Sequence, residues 1–149
     1  MNSNLHIREL REGDFEALFE LFKEFTVFER RPEALKNSLS KMKKESDYLK
    51  GFVVENSEKK LVGYTTWYLA YHTWTGKAMH LDDLYLKPEF RGLGAGKALI
   101  TKVITLAKEM DCYKVKWQVS HWNEPAKAFY ISLGAEITDI EHNCDLVLT

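Results

Sequence analysis

Apolar positions along the chain recur with two alternating periods. Leu5, Ile7 and Leu10 predict a short first strand. Behind Asp14, a side chain suited to capping a helix, Phe15, Leu18, Phe19, Phe22 and Phe25 fall at helical spacing. Pro32 predicts the end of that helix. Residues 33–48 are charged, with sparse Leu35, Leu39 and Met42, and read as a surface helix lying over a sheet. Two β-branched and aromatic runs, 52–54 and 61–71, flank the polar turn Asn56-Ser57-Glu58-Lys59-Lys60 and predict a hairpin. A further strand is expected over 79–86. Leu99, Ile100, Val103, Leu106, Ala107 and Met110 then share one stripe, the clearest helix signal of the chain. Val115, Trp117 and Val119 alternate with polar residues as a strand does. Asn123 as N-cap, Pro125 in the first turn and Gly134 as a left-handed stop bound a short helix over 124–133. Residues 137–149 predict a closing β-hairpin around His142 and Asn143. The order β-α-α-β-β-β-α-β-α-β-β makes the fold class α/β (α+β), a mixed sheet flanked by helices. With no repeat, low-complexity stretch or linker, the chain reads as a single domain over 1–149.

Composition narrows the partners. At 149 residues, 45% of them hydrophobic, folding hides roughly 70% of the unfolded surface, enough for a core without disulfide or metal staples. Twenty-one basic against 22 acidic side chains leave a net charge of -1, which argues against nucleic acid or anionic lipid as the partner, since both need a sustained basic field. The two cysteines, Cys112 and Cys144, lack CxxC spacing and nearby His, so neither a disulfide framework nor a metal site is expected. Charge arrives at Arg8 and Glu9, no apolar signal core precedes it, and no run approaches transmembrane length, so a cytoplasmic location is the expectation.

The segment richest in chemistry runs from the end of one expected strand into the long helix: Leu84-Tyr85-Leu86-Lys87-Pro88-Glu89-Phe90-Arg91-Gly92-Leu93-Gly94-Ala95-Gly96-Lys97. Glycine at every second position lets the backbone turn tightly and approach a ligand. The first N–H groups of the helix lack internal partners, so the loop is a ready cradle for an anion such as a pyrophosphate. The spacing fails the dinucleotide pattern because Lys97 stands where its third glycine belongs, and no GK[ST] follows for a nucleotide P-loop.

Arg91, Gly94 and Gly96 resemble the acyl-CoA pyrophosphate loop of the GNAT superfamily of N-acetyltransferases, whose pattern is Arg/Gln-x-x-Gly-x-Gly/Ala. The likeness extends through Trp74-Thr75-Gly76-Lys77, Leu81-Asp82-Asp83-Leu84-Tyr85-Leu86, Trp122-Asn123-Glu124-Pro125, Phe129-Tyr130 and Gly134-Ala135. These segments are similar to the diamine (spermidine/spermine) acetyltransferase branch. The resemblance implies a splayed, mostly antiparallel central sheet, with acetyl-CoA as co-substrate between two parting strands, no metal, a small-molecule amine as acceptor, and a homodimer. It also implies contacts to the coenzyme from Leu84, Tyr85, Leu86, the loop Arg91, Gly92, Leu93, Gly94, Ala95, Gly96 and Lys97, and from Asn123, Ala126 and Tyr130. The backbone N–H near Leu84 would polarise the thioester carbonyl.

The chemistry sets its own requirements. An alkyl amine has a pKa near about 10.4, so a base or water chain must take its proton before it can attack. By resemblance Asp82 holds the position of the proton-relay acid and Asp83 that of a residue binding the substrate amine. A regular strand turns neighbours to opposite faces, and only a β-bulge, common in this family's strand, would bring both near one cleft. Tyr130 matches the family's general-acid tyrosine, and a phenol near pKa about 10 is protonated and able to donate as a thiolate leaves. Neither cysteine occupies a matched catalytic position, so attack is expected to be direct, in a ternary complex. Glu29, Trp74 and Asp83 are candidate substrate contacts for a cation. Arg30 and Arg31 follow Glu29, and His72 stands where polyamine enzymes carry an acid; these departures favour a short diamine or a lysine-like molecule such as thialysine over a long polyamine. His6, His80, His121 and His142 have no matched role and read as ordinary histidines. Two competing readings are a non-catalytic acyl-CoA-binding sensor and a protein or peptide N-acetyltransferase.

Overall fold

The computed structural model describes residues 4–148. Met1, Asn2 and Ser3, part of the stretch read above for a signal, and Thr149, the last residue of the expected hairpin, lie outside the described residues. The chain divides into two compact units, Met1–Trp117 and Gln118–Thr149.

The first unit is built on five strands in sequence order: β1 (His6–Glu9), β2 (Lys50–Glu55), β3 (Leu61–His72), β4 (Gly76–Leu86) and β5 (Lys114–Lys116). The first four pair antiparallel and β5 joins β4 parallel, giving the mixed sheet expected from the sequence. Side chains alternate across each strand, so each face has its own helix. On one face α1 (Phe15–Phe28) lays Phe15, Leu18 and Leu21 against Val53, Tyr64 and Tyr85, with Met42 completing the cluster. On the other, α3 (Ala95–Glu109) buries Leu99, Ile100, Val103 and Ala107 and packs on β4. Both periodic stripes in the sequence therefore correspond to real helix faces.

Three expectations for this unit need correction. Asp14 does not cap α1. It ends a 3-10 turn, Glu12–Asp14, and its carboxylate accepts the Arg11 backbone N–H at 2.8 Å and both Arg8 terminal nitrogens at 2.8 and 2.7 Å. A charge-assisted fork from the neighbouring strand outcompetes a neutral helix N–H. Residues 33–48 are not one helix: they form 3-10 turns at Pro32–Ala34 and Ser46–Tyr48 around the six-residue α2 (Leu39–Lys44). Ser38 starts α2 by accepting the Lys41 N–H at 3.1 Å, and Met42 is the only side chain that α2 buries, too little apolar surface to hold a longer helix. The strand expected through Val119 stops at Lys116, where its pairing with β4 ends.

In the second unit, α4 (Glu124–Ser132) begins as expected, with Asn123 Oδ1 accepting the Ala126 N–H at 3.2 Å. Gly134 takes φ +92°, the left-handed conformation of a helix stop. The closing hairpin expected over 137–149 is absent: among the described residues beyond α4 no strand forms, and Ile137, Ile140, Leu146, Val147 and Leu148 are exposed. Five consecutive polar or small residues, Glu141 to Asp145, separate the apolar stretches, so neither is long enough to sustain a ladder. No described helix is long and apolar enough to cross a membrane.

Candidate active site

The sheet opens next to β4. Strand β5 pairs only with Ala78, Met79 and His80, so residues 81–86 have β3 on one side and, among the described residues, no strand on the other. The gap begins where the acidic pair stands. Thr66 pairs with Asp83 and Trp67 with Leu81, leaving Asp82 as an extra, unpaired residue. This is a β-bulge, and it interrupts the regular alternation by which neighbouring side chains of a strand point to opposite faces. Asp83, Tyr64, Thr66, Tyr68 and His80 share one face by register, the face on which α1 lies.

Asp83 is half-buried, and Tyr64, fully buried, donates its hydroxyl to Asp83 Oδ2 at 2.8 Å. Burial is the main force on Asp83; with the negative charges of Asp82 and Glu29 it pushes the pKa up to about 6, against the opposing pull of the Tyr64 hydrogen bond. Burial and the same carboxylate push the Tyr64 hydroxyl well above its usual range, so it stays a donor. Asp82 keeps solvent access, yet lost hydration raises its carboxyl as well. Glu29 ends α1, followed by Arg30 with φ 64°, a left-handed turn that carries the chain away from the helix. The charges of Asp82 and Glu29 thus both act on Asp83. Trp74 does not join them: it stands 97% exposed in the turn between β3 and β4.

Beyond Leu86 the chain makes a 3-10 turn at Pro88–Phe90 and enters the glycine loop. Gly92 and Gly94 take φ +77° and +86°, which a side chain would oppose. Gly96 is different, because a Cβ there would meet only Leu86 Cδ1 at 3.6 Å, ordinary contact. Gly94 precedes α3, and the Ala98 N–H is the one that closes on its carbonyl at 3.0 Å. The N–H groups of Ala95, Gly96 and Lys97 therefore have no acceptor inside the helix, and the positive end of its dipole faces the loop. Two side chains tie this loop to α1. Lys87 Nζ bonds Glu24 Oε1 at 2.8 Å, and the Arg91 guanidinium lies 4.6 Å over the Phe28 ring and 5.6 Å from that of Tyr85, while its Nε donates to the Leu86 carbonyl at 3.0 Å.

These features fit a pyrophosphate-bearing thioester: a strand flank without a neighbour, a left-handed backbone that only glycine adopts easily, and outward N–H groups. Leu84, Tyr85, Leu86 and the residues from Arg91 to Lys97 lie along this one stretch of the first unit. Asn123, Ala126 and Tyr130 belong to the second unit, where Asn123 caps α4 and Tyr130 is buried on it. Among the described residues no group of three or more His, Cys, Asp or Glu could hold a metal ion. The residues that sequence reasoning did not single out are Tyr64 and Tyr68, for which alternate positions in 61–71 carried the signal; His72 reads there only as a departure from the polyamine pattern and His80 as an ordinary histidine.

A model of the acetyltransferase (GNAT) family matches residues 15–135, so the chain belongs to that family and is an N-acetyltransferase, an enzyme class that uses acetyl-CoA as co-substrate. Its relatives lie in the diamine branch. Thialysine N-epsilon-acetyltransferase of Sus scrofa is 32% identical over 147 residues, covering 91% of this chain and 86% of that protein. The Caenorhabditis elegans enzyme of the same name is 31% identical over 129 residues, covering 85% and 80%. Spermidine/spermine N(1)-acetyltransferase-like protein 1 of Homo sapiens is 26% identical over 139 residues, covering 87% of this chain and 20% of that protein. Among solved structures, a Trypanosoma brucei acetyltransferase superposes with TM-score 0.77 at 26% identity, covering 95% of this chain and 99% of the other.

Proposed function

We propose that this protein transfers acetyl from acetyl-CoA to a primary amine of a small, lysine-like or diamine molecule, with thialysine the leading candidate, by direct attack in a ternary complex. The observation that carries the reading is the bulge at Asp82, which sets Asp82 beside Asp83 at the open flank of β4, immediately before the glycine loop. The relatives named for thialysine support the choice of acceptor.

Acetyl-CoA supplies an acetyl group activated as a thioester. The glycine loop and the first N–H groups of α3 hold its pyrophosphate, and the strand flank from Leu84 to Leu86 lines its arm, with a backbone N–H near Leu84 directed at the carbonyl oxygen. Asn123 and Ala126 complete the coenzyme contacts. Asp83 and Glu29 attract the ammonium end of the acceptor, whereas Trp74, in the exposed β3–β4 turn, lies away from them. Asp82, directly or through water, takes the proton that must leave before the nitrogen can attack. Tyr130 donates a proton to the departing thiolate. A substrate carboxylate pairs with Arg30 or Arg31. The homodimer expected of this branch would also cover the exposed Tyr71 and Trp74.

The test is free-thiol release from acetyl-CoA with spermidine, putrescine, lysine, thialysine and a lysine-bearing peptide, run beside Tyr130→Phe. Turnover is expected with thialysine or a short diamine, falling at least about tenfold in the variant, since positioned acids contribute 10² to 10⁴. Preference for the peptide would move the protein to peptide acetylation, and coenzyme binding without turnover of any amine would make it a sensor.

A further inference from the structure

The pairing of β3 with β4 brings two histidines together on one face of the hairpin, on the turn side of the bulge. His72 is the last residue of β3, and His80 stands on β4 opposite Tyr68. Ala70 and Ala78, paired with each other between them, have side chains small enough for the two rings to meet above them. Nε2 of His72 lies 3.0 Å from Nε2 of His80. The rings are inclined by only 16°, with centroids 5.3 Å apart. That separation equals the nitrogen–nitrogen distance plus the two ring radii, so the rings meet end to end, one nitrogen donating and the other accepting. Both residues are half-buried, and solvent reaches each of them.

Two imidazoles that share one tetrahedral first-row metal ion, at metal–nitrogen bonds of about 2.0–2.1 Å, have their nitrogens about 3.3 Å and their ring centres about 5.2 Å apart. The ring centres of His72 and His80 already have that spacing. Parting the nitrogens by about 0.3 Å, through a turn of each ring of roughly 35° about its centre, aims both lone pairs at a single point. The opposite nitrogen of His80, Nδ1, lies 3.2 Å from the Tyr68 hydroxyl. A ligating histidine characteristically gives its other N–H to an oxygen, which fixes the tautomer that leaves Nε2 free to bind. Register sets Lys116 beside His80 and Lys114 beside Ala78. These positive neighbours oppose an ion held by charge alone, so bonds to nitrogen must supply the affinity, and those are strong for Cu²⁺, Ni²⁺ and Zn²⁺.

We propose that His72 and His80 form a binding site for a divalent first-row transition-metal ion, held by the two Nε2 atoms and bridging β3 to β4. Water molecules complete the coordination, since the chain supplies two donors. In the metal-bound state His80 carries its hydrogen on Nδ1, donating to Tyr68, and the hydrogen between the two rings moves to His72 Nδ1. Both ligands remain neutral and no net proton is released. The site is independent of the acetyl-transfer reading and requires no acceptor to be known.

The experiment is calorimetric titration of untagged, chelator-treated protein with ZnCl2, without coenzyme. One Zn²⁺ per chain is expected to bind to wild type, and Mg²⁺ and Ca²⁺, which take oxygen ligands, are expected not to bind. His72→Gln and His80→Gln should each weaken Zn²⁺ at least about tenfold, and Tyr68→Phe by up to about tenfold with both donors in place. Cys112 is half-buried and Cys144 exposed, so Cys144→Ser serves as a control with exposed His142→Gln, and both should keep wild-type affinity. At a hundredfold excess of Zn²⁺ over its Kd, the thermal midpoint should rise by up to about 10 °C in wild type and remain unchanged in the two histidine variants. Acetyl-CoA affinity of each variant reports whether it has folded. A further measurement needs no variant: in protein labelled with ¹⁵N-histidine, Zn²⁺ should shift the Nε2 signals of two histidines together, with an Nδ1–H tautomer in both. Absence of Zn²⁺ binding, wild-type affinity in either histidine variant, or loss of binding in Cys144→Ser overturns the site.

Discussion

Tyr64 donates to Asp83 Oδ2 at 2.8 Å from within the apolar cluster beneath α1, so the carboxylate at the candidate acceptor site is held by a phenol that has no other exit. The hydrogen bond favours the ionised acid, while burial, Asp82 and Glu29 favour the protonated one and set the pKa at about 6. If the anion is what attracts the substrate cation, kcat/KM should fall as pH drops through about 6. Tyr64→Phe removes the one force that favours the anion, so this acidic limb should move to higher pH. A pH profile of kcat/KM with thialysine for both proteins checks the direction. An unmoved limb would assign it to another group.

The same acid gives a stability prediction of defined sign. Because its folded pKa lies above the unfolded value near about 3.9, the folded state binds a proton more tightly, and stability declines as pH rises from about 4 through 6. Above that window the full penalty is present. Asp83→Asn, which can still accept from Tyr64, should therefore stabilise the protein at pH 7.5, by at most about 3 kcal/mol from the size of the shift. Denaturant titrations at pH 7.5 and pH 4 should show the gain at the first and its loss at the second. Activity is expected to fall as stability rises, the usual exchange at a functional acid.

How much of this was legible in the sequence depended on whether the signal was local. Phe15, Leu18, Phe19, Phe22 and Phe25, and likewise Leu99, Ile100 and Val103, announce their helices because one face of each packs on the sheet, although Leu21, buried beside the first stripe, is not part of it. The glycine loop is legible for the same reason, since Gly92 and Gly94 have their special backbone wherever the loop lies in the fold. Asp14 misled because its partner, Arg8, comes from a strand that sequence reading could not place beside it. Residues 33–48 misled because a charged stretch with few leucines looks helical whether or not a sheet is there to bury it. The bulge at Asp82 depends on the register of β3 against β4, so the resemblance could suggest it and only the fold could locate it. Likewise, nothing in 68–80 says that His72 and His80 meet end to end; that is a property of the hairpin's pairing.

Arg8 should be a structural centre away from the chemistry. Its guanidinium bridges Asp14 at 2.7 Å and Glu55 at 3.3 Å, all three side chains largely shielded from water. The Arg8 hydrogen bond is the main cause of the lowered Asp14 pKa. A depressed acid contributes stability above its unfolded pKa and loses it as pH falls through the folded one. Asp14→Ala should cost about 2–3 kcal/mol at pH 7, between the values for exposed and fully buried pairs. The deficit should shrink in acid, as pH falls below the unfolded carboxylate value of about 3.9 and the carboxylate protonates in wild type. Urea midpoints at the two pH values measure both effects, and kcat of the folded fraction should not change.

The glycine loop offers a contrast between two kinds of glycine. Gly92 and Gly94 hold positive φ, so alanine there costs about 1–2 kcal/mol of local strain and should displace the backbone that faces the pyrophosphate. Gly96 has ordinary room for a Cβ beside Leu86. Calorimetric titration with acetyl-CoA should show affinity reduced about tenfold or more in Gly94→Ala and within about threefold of wild type in Gly96→Ala, as the strain difference implies. Equal losses at both positions would mean that the space above the loop, and not its backbone conformation, limits binding.

Arg91 joins the coenzyme loop to the acceptor side. Its guanidinium sits over Phe28, the last residue of α1, and the next residue is Glu29, whose charge reaches Asp83. A stacked guanidinium over an aromatic ring contributes about 0.5–2 kcal/mol, so Arg91→Ala should weaken acetyl-CoA binding by roughly 3- to 30-fold. Because Phe28 and Glu29 are consecutive, KM for the amine should rise in the same variant, although Arg91 lies in the coenzyme loop. Arg91→Lys separates two explanations. An ammonium keeps the charge toward a pyrophosphate but loses the planar stack and the fixed bond from Nε to the Leu86 carbonyl. If stacking joins the two sides, lysine should behave like alanine in the amine KM while recovering part of the coenzyme affinity. If lysine restores both constants, Arg91 acts on the phosphates by charge alone, and the link between the loop and α1 falls to Lys87 and Glu24.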